Sequence, residues 1–417
     1  MRFLALVLSV LVQAQETSQP KPVVLRGARI YTGTGPALDG ALIVIEHGRI
    51  AAVGKEIPIP PGAEIVDGTG KVVIPGLIDA ASRLFVPVSG ERSAGSPDQR
   101  VLDGLDFFQT DADEAVQQGV TTVYVGPVST GPINGLGAII HLNAARTVLQ
   151  KEAALKMTLG ASSGESSSAL ERYQSFPQLK QAFEAARQYL EDGEKYRRDL
   201  AAYEQAQKDK KTTDLKPPSK PKVDLKQEVV ARCLDPKSPL TLRIEVHAAD
   251  AIPLALRLVE EYKLKAVLEY VTEGGEVAAA IAKARVPALV GPVFRTGPPS
   301  VDYLRHSPQT ASVLSRAGVS VAVGSFADER AGALGPGGSR FLAESAAAAA
   351  RGFTREQTLA MITIEAAKIL GLEKTQGSIE KDKVADLVLL SGEPFESTTR
   401  VDRTWIDGVT VYARGKR

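Results

Sequence analysis

Cysteine and histidine are scarce in this chain of 417 residues. It contains one cysteine, Cys233, and four histidines, His47, His141, His247 and His306. A single cysteine forms no internal disulfide and cannot build a thiolate metal site. The small number of imidazoles also limits how many histidine ligands any metal site has available.

The chain also lacks a strong net charge of either sign. It has 50 Lys and Arg residues against 49 Asp and Glu residues, which gives a formal net charge of +1. This balance gives no electrostatic footprint for nucleic acid or for an anionic membrane surface. Hydrophobic residues make up 44% and charged residues 24%, which excludes disorder on a large scale. The length predicts two or three domains or one large barrel.

Residues 1–14 have the pattern of a signal peptide. Arg2 precedes the hydrophobic run from Phe3 to Val12, and Ala14 ends a cleavage-site pattern. The run has about half the length that a membrane-spanning helix needs. We therefore expect export to the periplasm or the extracellular space, with no stable membrane insertion after cleavage. The alternatives are an N-terminal core strand and an uncleaved anchor.

Strand-rich ends enclose a region in which strands and helices alternate. Short apolar runs with turn residues dominate 21–75 and 372–417, whereas 76–371 alternates helices with short strand-like runs. Such alternation is typical of a parallel sheet closed into a barrel. We expect an α/β protein with a TIM-like (β/α)8 barrel and a small composite β-sandwich built from both chain ends.

A helical and charged insertion interrupts the alternation at about residues 161–235. A Lys- and Pro-rich stretch follows the helical part, and its few apolar residues predict an exposed linker. A basic docking surface is the alternative interpretation of this stretch. The predicted helical face consists of Leu179, Phe183, Ala186 and Leu190.

One further helix is predicted after Thr354. Thr354 and Gln357 have the spacing of a capping box, and Gly371 is placed to end the helix. The predicted buried face consists of Leu359, Ile362, Ala366 and Leu370.

Stretches distributed over most of the chain resemble the amidohydrolase superfamily, in particular its secreted, imidazolonepropionase-like branch. They are 73–79, 115–124, 135–140, 154–160, 354–372 and 377–387. The resemblance implies a (β/α)8 barrel with a composite sandwich, and hydrolysis of carbon–nitrogen bonds other than peptide bonds. It also implies zinc or another divalent metal at the barrel mouth, which acidifies a water and polarises the scissile carbonyl.

The sequence departs from that family at almost every expected ligand position. The His-x-His after the first-strand aspartate falls on 81–83, the strand-six histidine on Tyr270, and the catalytic aspartate on Phe326. In strand five, Glu245 stands where the first histidine of a pair is expected, and His247 is retained. We therefore expect no bound metal cofactor and a non-catalytic pseudoenzyme or binding scaffold.

Three interpretations stay open. In the first, the protein binds a small molecule or pairs with another copy or an active relative through the insertion. In the second, His247, Glu245 and Asp328 form a rebuilt mononuclear catalytic site. In the third, the barrel is purely structural, with its mouth closed by Arg83, Tyr270 and Phe326.

Two residues at the predicted mouth are candidates for ligand binding. An arginine beside a tyrosine, here Arg83 and Tyr270, can hold a carboxylate in bidentate fashion. Internal pairing of Arg83 with Glu245 or Glu269 is the simpler prediction. His141 ends an apolar run, and we favour a hydrogen-bonded histidine at a strand end over one facing the mouth.

Overall fold

The computed structural model describes residues 21–87, 95–160, 169–209, 216–293, 306–326, 341, 345 and 352–415, with side chains of the helix at 169–208 described from residue 174. Within these ranges, no helix is both long and apolar enough to cross a membrane. The predicted signal peptide, residues 1–14, and the candidate residue Asp328 lie outside the described residues.

Strands from both ends of the chain form two sheets with a shared core. The four-stranded sheet has the order β5-β4-β1-β6 and the six-stranded sheet the order β18-β17-β16-β7-β2-β3. The strands from the N-terminal end are β1 (Val23–Arg26), β2 (Arg29–Ile30), β3 (Leu38–Asp39), β4 (Leu42–Glu46), β5 (Arg49–Gly54), β6 (Glu64–Asp67) and β7 (Val72–Pro75). Those from the C-terminal end are β16 (Leu387–Leu390), β17 (Val401–Ile406) and β18 (Val409–Ala413). The core between the sheets includes Leu25, Ile43, Val73, Leu387 and Trp405.

Two tight turns of these sheets pack against each other. His47 and Gly48 connect β4 to β5, and Asp407 and Gly408 connect β17 to β18, all four with positive φ. A Cβ atom at Gly48 would lie 2.9 Å from the carbonyl oxygen of Asp407, and one at Gly408 would lie 2.8 Å from Ile45 Cγ2. Glycine therefore permits both the turn conformations and the close approach. The predicted place of His47 in a sandwich turn is confirmed.

Eight strands form a barrel sheet with the order β15-β14-β13-β12-β11-β10-β9-β8. They are β8 (Leu77–Ser82), β9 (Val120–Val125), β10 (Ile133–His141), β11 (Val148–Thr158), β12 (Thr241–Val246), β13 (Ala266–Tyr270), β14 (Ala288–Val290) and β15 (Val321–Val323). The first and last strands meet where Phe326 N donates to the carbonyl oxygen of Ala81 at 2.8 Å. This is the predicted α/β fold with a nearly closed barrel beside a composite sandwich, whereas the predicted domain boundaries stay a prediction.

One barrel strand runs against the predicted direction. β10 is antiparallel to both β9 and β11, whereas the remaining neighbours in the sheet are parallel. Only residues 142–147 connect β10 to β11. Because a parallel crossover needs about a dozen residues, this connection allows only a hairpin.

Eight helices lie entirely within the described ranges, and the described residues 341 and 345 are helical as well. The eight helices are α1 (Asp111–Gln117), α2 (Ala169–Lys208), α3 (Leu225–Arg232), α4 (Ile252–Tyr262), α5 (Ala278–Ala284), α6 (Thr310–Arg316), α7 (Arg355–Met361) and α8 (Ile364–Leu370). Short 3-10 helices lie at Val101–Gly104 and Gly274–Val277.

The insertion is a long helix that packs on the barrel over only part of its length. Leu179, Phe183 and Ala186 are buried, and Phe183 stacks on Tyr262 of α4 with ring centroids 5.0 Å apart. Leu190, predicted on the same face, is 38% exposed because the helix continues beyond the helices that it covers. Residues 216–226 are mostly exposed, as predicted for the linker.

The predicted helix after Thr354 is two helices. The capping box at Thr354 and Gln357, the buried face and the left-handed Gly371 are all confirmed. The break between α7 and α8 was not predicted. It occurs where the carbonyl oxygen of Ile362 accepts a hydrogen bond from Ile78 N of β8 at 2.8 Å, which directs this carbonyl to the barrel.

Candidate functional site

Lys156 lies at the centre of a buried ionic network at the carboxyl ends of the barrel strands. It is near the end of β11, and only 4% of the residue is exposed. Its Nζ atom lies 2.8 Å from Glu245 Oε2 on β12 and 3.4 Å from Glu269 Oε2 on β13. Ser129 Oγ also donates to Glu245 Oε2. One ammonium group therefore joins two carboxylates from neighbouring strands.

Arg243 supplies the second cation of the network. Its Nε donates to Glu269 Oε1, and a terminal guanidinium nitrogen donates to the carbonyl oxygen of Ala80 at 2.7 Å. The guanidinium carbon lies 3.6 Å from the ring centroid of Tyr124, a cation–π contact. Lys156 and Arg243 therefore balance the charges of Glu245 and Glu269.

The pKa values of Glu245, Glu269 and Lys156 are each shifted by the charges around them. Burial alone would raise the pKa of Glu245, but Lys156 and His247 hold it well below its usual range. Burial would likewise raise the pKa of Glu269, yet Arg243 and Lys156 lower it. The pKa of Lys156, which burial would lower, is raised by Glu245 and Glu269. All three groups are thus charged near neutral pH.

Aromatic side chains cover the network. Tyr270 lies between His247, at 4.6 Å between ring centroids, and Phe326, at 4.2 Å. Arg83 hydrogen-bonds the Tyr270 side chain, and His247 Nδ1 lies 2.8 Å from Thr272 Oγ1. Burial raises the pKa of the Tyr270 hydroxyl above its usual range.

The backbone carries strain where the aromatic side chains cover the mouth. Tyr270 and Phe326 have φ values of 67° and 40°, in the left-handed region that costs a non-glycine residue about 1–3 kcal/mol. The surrounding packing must stabilise this arrangement.

One small cavity at the mouth is lined by described residues. The cavity there has a volume of about 20 Å³ and is lined by Ala81, Ser82, Arg83, Tyr124, Gly126, Pro127, Lys156, Glu269, Tyr270 and Phe326. This volume is of the order needed to hold one water molecule, far below the roughly 300 Å³ of small ligand sites.

Asp79 contributes a buried carboxyl group beside the network. Its Oδ1 atom accepts from the backbone N–H groups of Ala81, at 3.2 Å, and Ser325, at 3.0 Å. Its Oδ2 atom has no hydrogen-bond partner among the described residues. Burial raises the pKa of Asp79 to about 6.

The structure brings four of the five predicted site residues to the mouth. Glu245 and His247 are neighbours, with 3.7 Å between Glu245 Oε1 and His247 Nε2. Arg83 and Tyr270 are hydrogen-bonded to each other. Asp328 lies outside the described residues, so its relation to the other four stays a prediction.

His141 lies at the opposite end of the barrel, where β10 meets the sandwich. Its Nε2 atom is 2.8 Å from Asp386 Oδ2. The favoured prediction of a hydrogen-bonded histidine at a strand end is confirmed.

Sequence reasoning missed Lys156 and Arg243 as the cations of the mouth. Each is the single charged residue of an otherwise uncharged, buried stretch, Ala154–Leu159 and Leu242–Ile244. Side chains on alternate residues of a strand point to the same face, so Lys156 shares the inward face with Ala154. A cation at such a position was the available signal for a partner carboxylate inside the barrel.

The residues present at the mouth do not fit a divalent metal. Glu245, the carboxylate nearest to His247, already binds Lys156 and Ser129 through Oε2. Tyr270 and Phe326 pack together as aromatic rings, and Arg83 adds a further positive charge. A metal ion held by Glu245 Oε1 and His247 Nε2 would lie beside the Lys156 ammonium, which is bound to the other oxygen of the same carboxylate, and the two positive charges would repel each other.

Comparison with known proteins agrees with the fold. The sequence model described as the amidohydrolase family matches residues 339–412. An amidohydrolase structure from Thermotoga maritima superimposes with a TM-score of 0.78 at 28% identity, over 94% of this chain and 100% of the other.

Curated relatives match short segments. A dihydroorotase from Mycobacterium tuberculosis is 37% identical over 65 residues, 16% of this chain and 14% of the relative. The human dihydropyrimidinase-related protein 5 is 52% identical over 40 residues, 10% of this chain and 7% of the relative. The matched segments of the chain thus span only a small part of the length of these relatives. With the nearly complete structural match and the C-terminal family match, these similarities show that the chain belongs to the amidohydrolase superfamily.

Proposed function

We propose that this protein is an exported, non-catalytic member of the amidohydrolase superfamily that acts as a binding scaffold. The observation that carries the proposal is the position of Lys156, whose ammonium group binds Glu245 and Glu269 at the barrel mouth. The side chains of Lys156 and Arg243 would then supply the positive charge that a catalytic metal supplies in the family.

Charge balance supports this replacement. Two buried carboxylates need compensation, which a divalent cation supplies in a metal-dependent enzyme. Here Lys156 and Arg243 bring two positive charges to Glu245 and Glu269. A side-chain ammonium or guanidinium group can neither ionise a bound water as zinc does nor offer a free coordination position.

The space at the mouth supports the same conclusion. The cavity of about 20 Å³ beside Lys156, Glu269 and Tyr270 has no room for an amide substrate. Tyr270 and Phe326 fill volume where the family resemblance places a metal-binding histidine and an aspartate. A ligand or partner of the scaffold would therefore bind outside this cavity.

Hydrolysis assays test the loss of catalysis. The full chain is incubated with linear N-acyl amino acids and cyclic imides, with added Zn²⁺, Mn²⁺ or Co²⁺ and with a chelator. We expect no turnover above that of Glu245→Gln, the matched control with the same volume and no negative charge. Chelator-sensitive turnover that disappears in Glu245→Gln would overturn the proposal.

The second candidate is a rebuilt mononuclear hydrolase. It is favoured by the proximity of Glu245 Oε1 and His247 Nε2 at 3.7 Å, and it would use Asp328 as the third ligand. It requires a metal ion to bind next to the Lys156 ammonium, which is bound to the other oxygen of Glu245. This candidate predicts that His247→Ala abolishes a measured hydrolysis, and an unchanged rate would exclude it.

Export and pairing complete the proposal. The hydrophobic run at 3–12 supports export, and N-terminal sequencing of protein recovered outside the cytoplasm is expected to start at Gln15.

The exposed second half of α2 supports a pairing surface for another copy or an active relative. A native mass spectrum showing only monomers at micromolar concentration would argue against self-pairing.

A further inference from the structure

Three potential metal ligands meet where the barrel contacts the sandwich. They are His141 at the end of β10, Asp386 just before β16 and Asp407 in the turn between β17 and β18. One ligand atom from each residue lies within 4.8 Å of the other two. His141 Nε2 is 2.8 Å from Asp386 Oδ2, and His141 Nδ1 is 3.6 Å from Asp407 Oδ2.

Further hydrogen bonds hold the two aspartates in place. Asp407 N donates to Asp386 Oδ1 at 3.1 Å, and Asn143 Nδ2 donates to Asp407 Oδ2 at 2.9 Å. The carbonyl oxygen of Asp386 accepts from Gly76 N at 2.8 Å, just before β8. Partners of this kind orient ligand side chains in metal sites.

We propose that His141, Asp386 and Asp407 bind a divalent transition metal of the zinc class. An imidazole nitrogen and two carboxylate oxygens are ligands that zinc accepts, at about 2.0–2.2 Å from the ion. Asp386 and Asp407 contact different ring nitrogens of His141, so an ion bound between His141 Nε2 and Asp386 requires the Asp407 side chain to move toward it, from a starting separation of the three ligand atoms within 4.8 Å. On binding, the ion takes the place of the proton shared by His141 and Asp386, and that proton leaves to solvent.

The surroundings of this cluster differ from those at the barrel mouth. In the described part of the chain, His141 is the only cationic partner of Asp386 and Asp407, so no lysine or arginine competes for their oxygens. The two negative charges of the carboxylates balance the two positive charges of a divalent ion. His141 and Asp386 are buried, whereas the Asp407 side chain is 44% exposed, which gives a route for the ion and for a water ligand.

The site joins elements that are distant in sequence. His141 belongs to the barrel sheet, and Asp386 and Asp407 flank strands of the six-stranded sandwich sheet. A bound ion would therefore connect barrel and sandwich and stabilise the folded chain by mass action. Its role is structural and does not depend on whether the mouth is catalytic.

Calorimetric titration of the metal-stripped full chain with Zn²⁺ tests the site, with visible absorption of bound Co²⁺ as a second readout. We expect one ion per chain and a rise in Tm. Asp407→Asn is expected to weaken binding at least about tenfold. This partly exposed turn residue has a φ of 53°, which asparagine tolerates, so the variant should fold. His141→Gln is the second ligand variant, and His247→Gln, at the mouth, is the matched control with unchanged affinity.

The possible results separate this inference from the proposed function. Absence of saturable Zn²⁺ binding, or binding unchanged in both Asp407→Asn and His141→Gln, would overturn the site and leave the proposed function untouched. Binding lost in His247→Gln but retained in Asp407→Asn would place the ion at the mouth and overturn both.

Discussion

Lys156 and Glu245 are a buried pair in which each charge depends on the other. Their charged atoms lie 2.8 Å apart, and both residues are more than nine-tenths buried. Such a pair contributes little more to the free energy of unfolding than apolar residues of equal volume would. Loss of one partner, however, leaves a buried charge without compensation. The network is therefore a specific arrangement that single substitutions should disrupt strongly.

Lys156→Met tests this dependence. The apolar side chain keeps much of the lysine volume but leaves Glu245 without its ammonium partner, so we expect a loss of about 3–5 kcal/mol in the free energy of unfolding. The double variant Lys156→Met/Glu245→Gln should recover a large part of that loss. Urea unfolding measures both, and a single variant within about 0.5 kcal/mol of the parent would show that the pair is not buried as described.

Asp79 should make stability depend on pH. Burial raises its pKa from 3.8 to about 6 in the folded chain. A group with a raised folded pKa stabilises fully below its unfolded pKa, and this contribution is lost as the pH rises through about 6. Asp79→Asn removes the titration and keeps the oxygen that accepts from Ala81 and Ser325.

The measurement is the difference in unfolding free energy between Asp79→Asn and the parent at pH 4 and pH 7. Taking the difference cancels the titration of groups common to both proteins. We expect the variant to gain on the order of 2–3 kcal/mol relative to the parent between these two pH values. A difference that does not change with pH would contradict a buried Asp79 with a raised pKa.

At the scale of elements, the start of α7 depends on local hydrogen bonds. Thr354 Oγ1 accepts from Gln357 N at 3.2 Å, and Gln357 Oε1 accepts from Thr354 N at 2.8 Å. These bonds satisfy two N–H groups that a helix start otherwise leaves without partners. The spacing of the two residues was enough to predict them.

Thr354→Ala should destabilise the fold by about 1 kcal/mol, since it removes the capping acceptor. Thr354→Ser, which keeps the hydroxyl group, is the matched control and should stay close to the parent. Denaturant unfolding of the parent, Thr354→Ala and Thr354→Ser measures the three stabilities and shows whether they fall in this order. Equal stability of the alanine and serine variants would show that the cap contributes nothing.

The end of the same predicted helix shows a limit of local reasoning. Propensity and the apolar face favour one continuous helix as far as Gly371, yet α7 and α8 are separate. The Ile362 carbonyl oxygen bonds to Ile78 N, a residue far away in sequence. No sequence pattern around residue 362 predicts that Ile78 will be its partner. The break between α7 and α8 therefore depends on a tertiary contact.

At the scale of the whole molecule, the barrel and the composite sandwich follow from patterns spread along the chain. Strand-rich ends and a βα alternation were enough to predict them. The reversed direction of β10 was not predicted, although the short connection at 142–147 contains the reason. Alternation predicts that a strand exists, whereas its direction depends on the length of the connection.

The candidate site was predictable in its position but not in its chemistry. The replaced ligand positions identified Arg83, Tyr270, Glu245 and His247 at one end of the barrel. The cations that balance Glu245 and Glu269 were missed, because one charged residue in an apolar strand does not show what it faces. Only the register of β11 and β12 places Lys156 and Arg243 opposite each other.

In our interpretation, Lys156 and Arg243 neutralise the buried carboxylates at the barrel mouth, as a metal ion does in a metal-dependent enzyme. An anomalous difference map at the zinc edge, from crystals soaked in Zn²⁺, tests it most directly. We expect no peak within coordination distance of Glu245 or His247, and we expect Lys156 to remain in contact with Glu245. A zinc peak bound by Glu245 and His247, with Lys156 displaced, would contradict it.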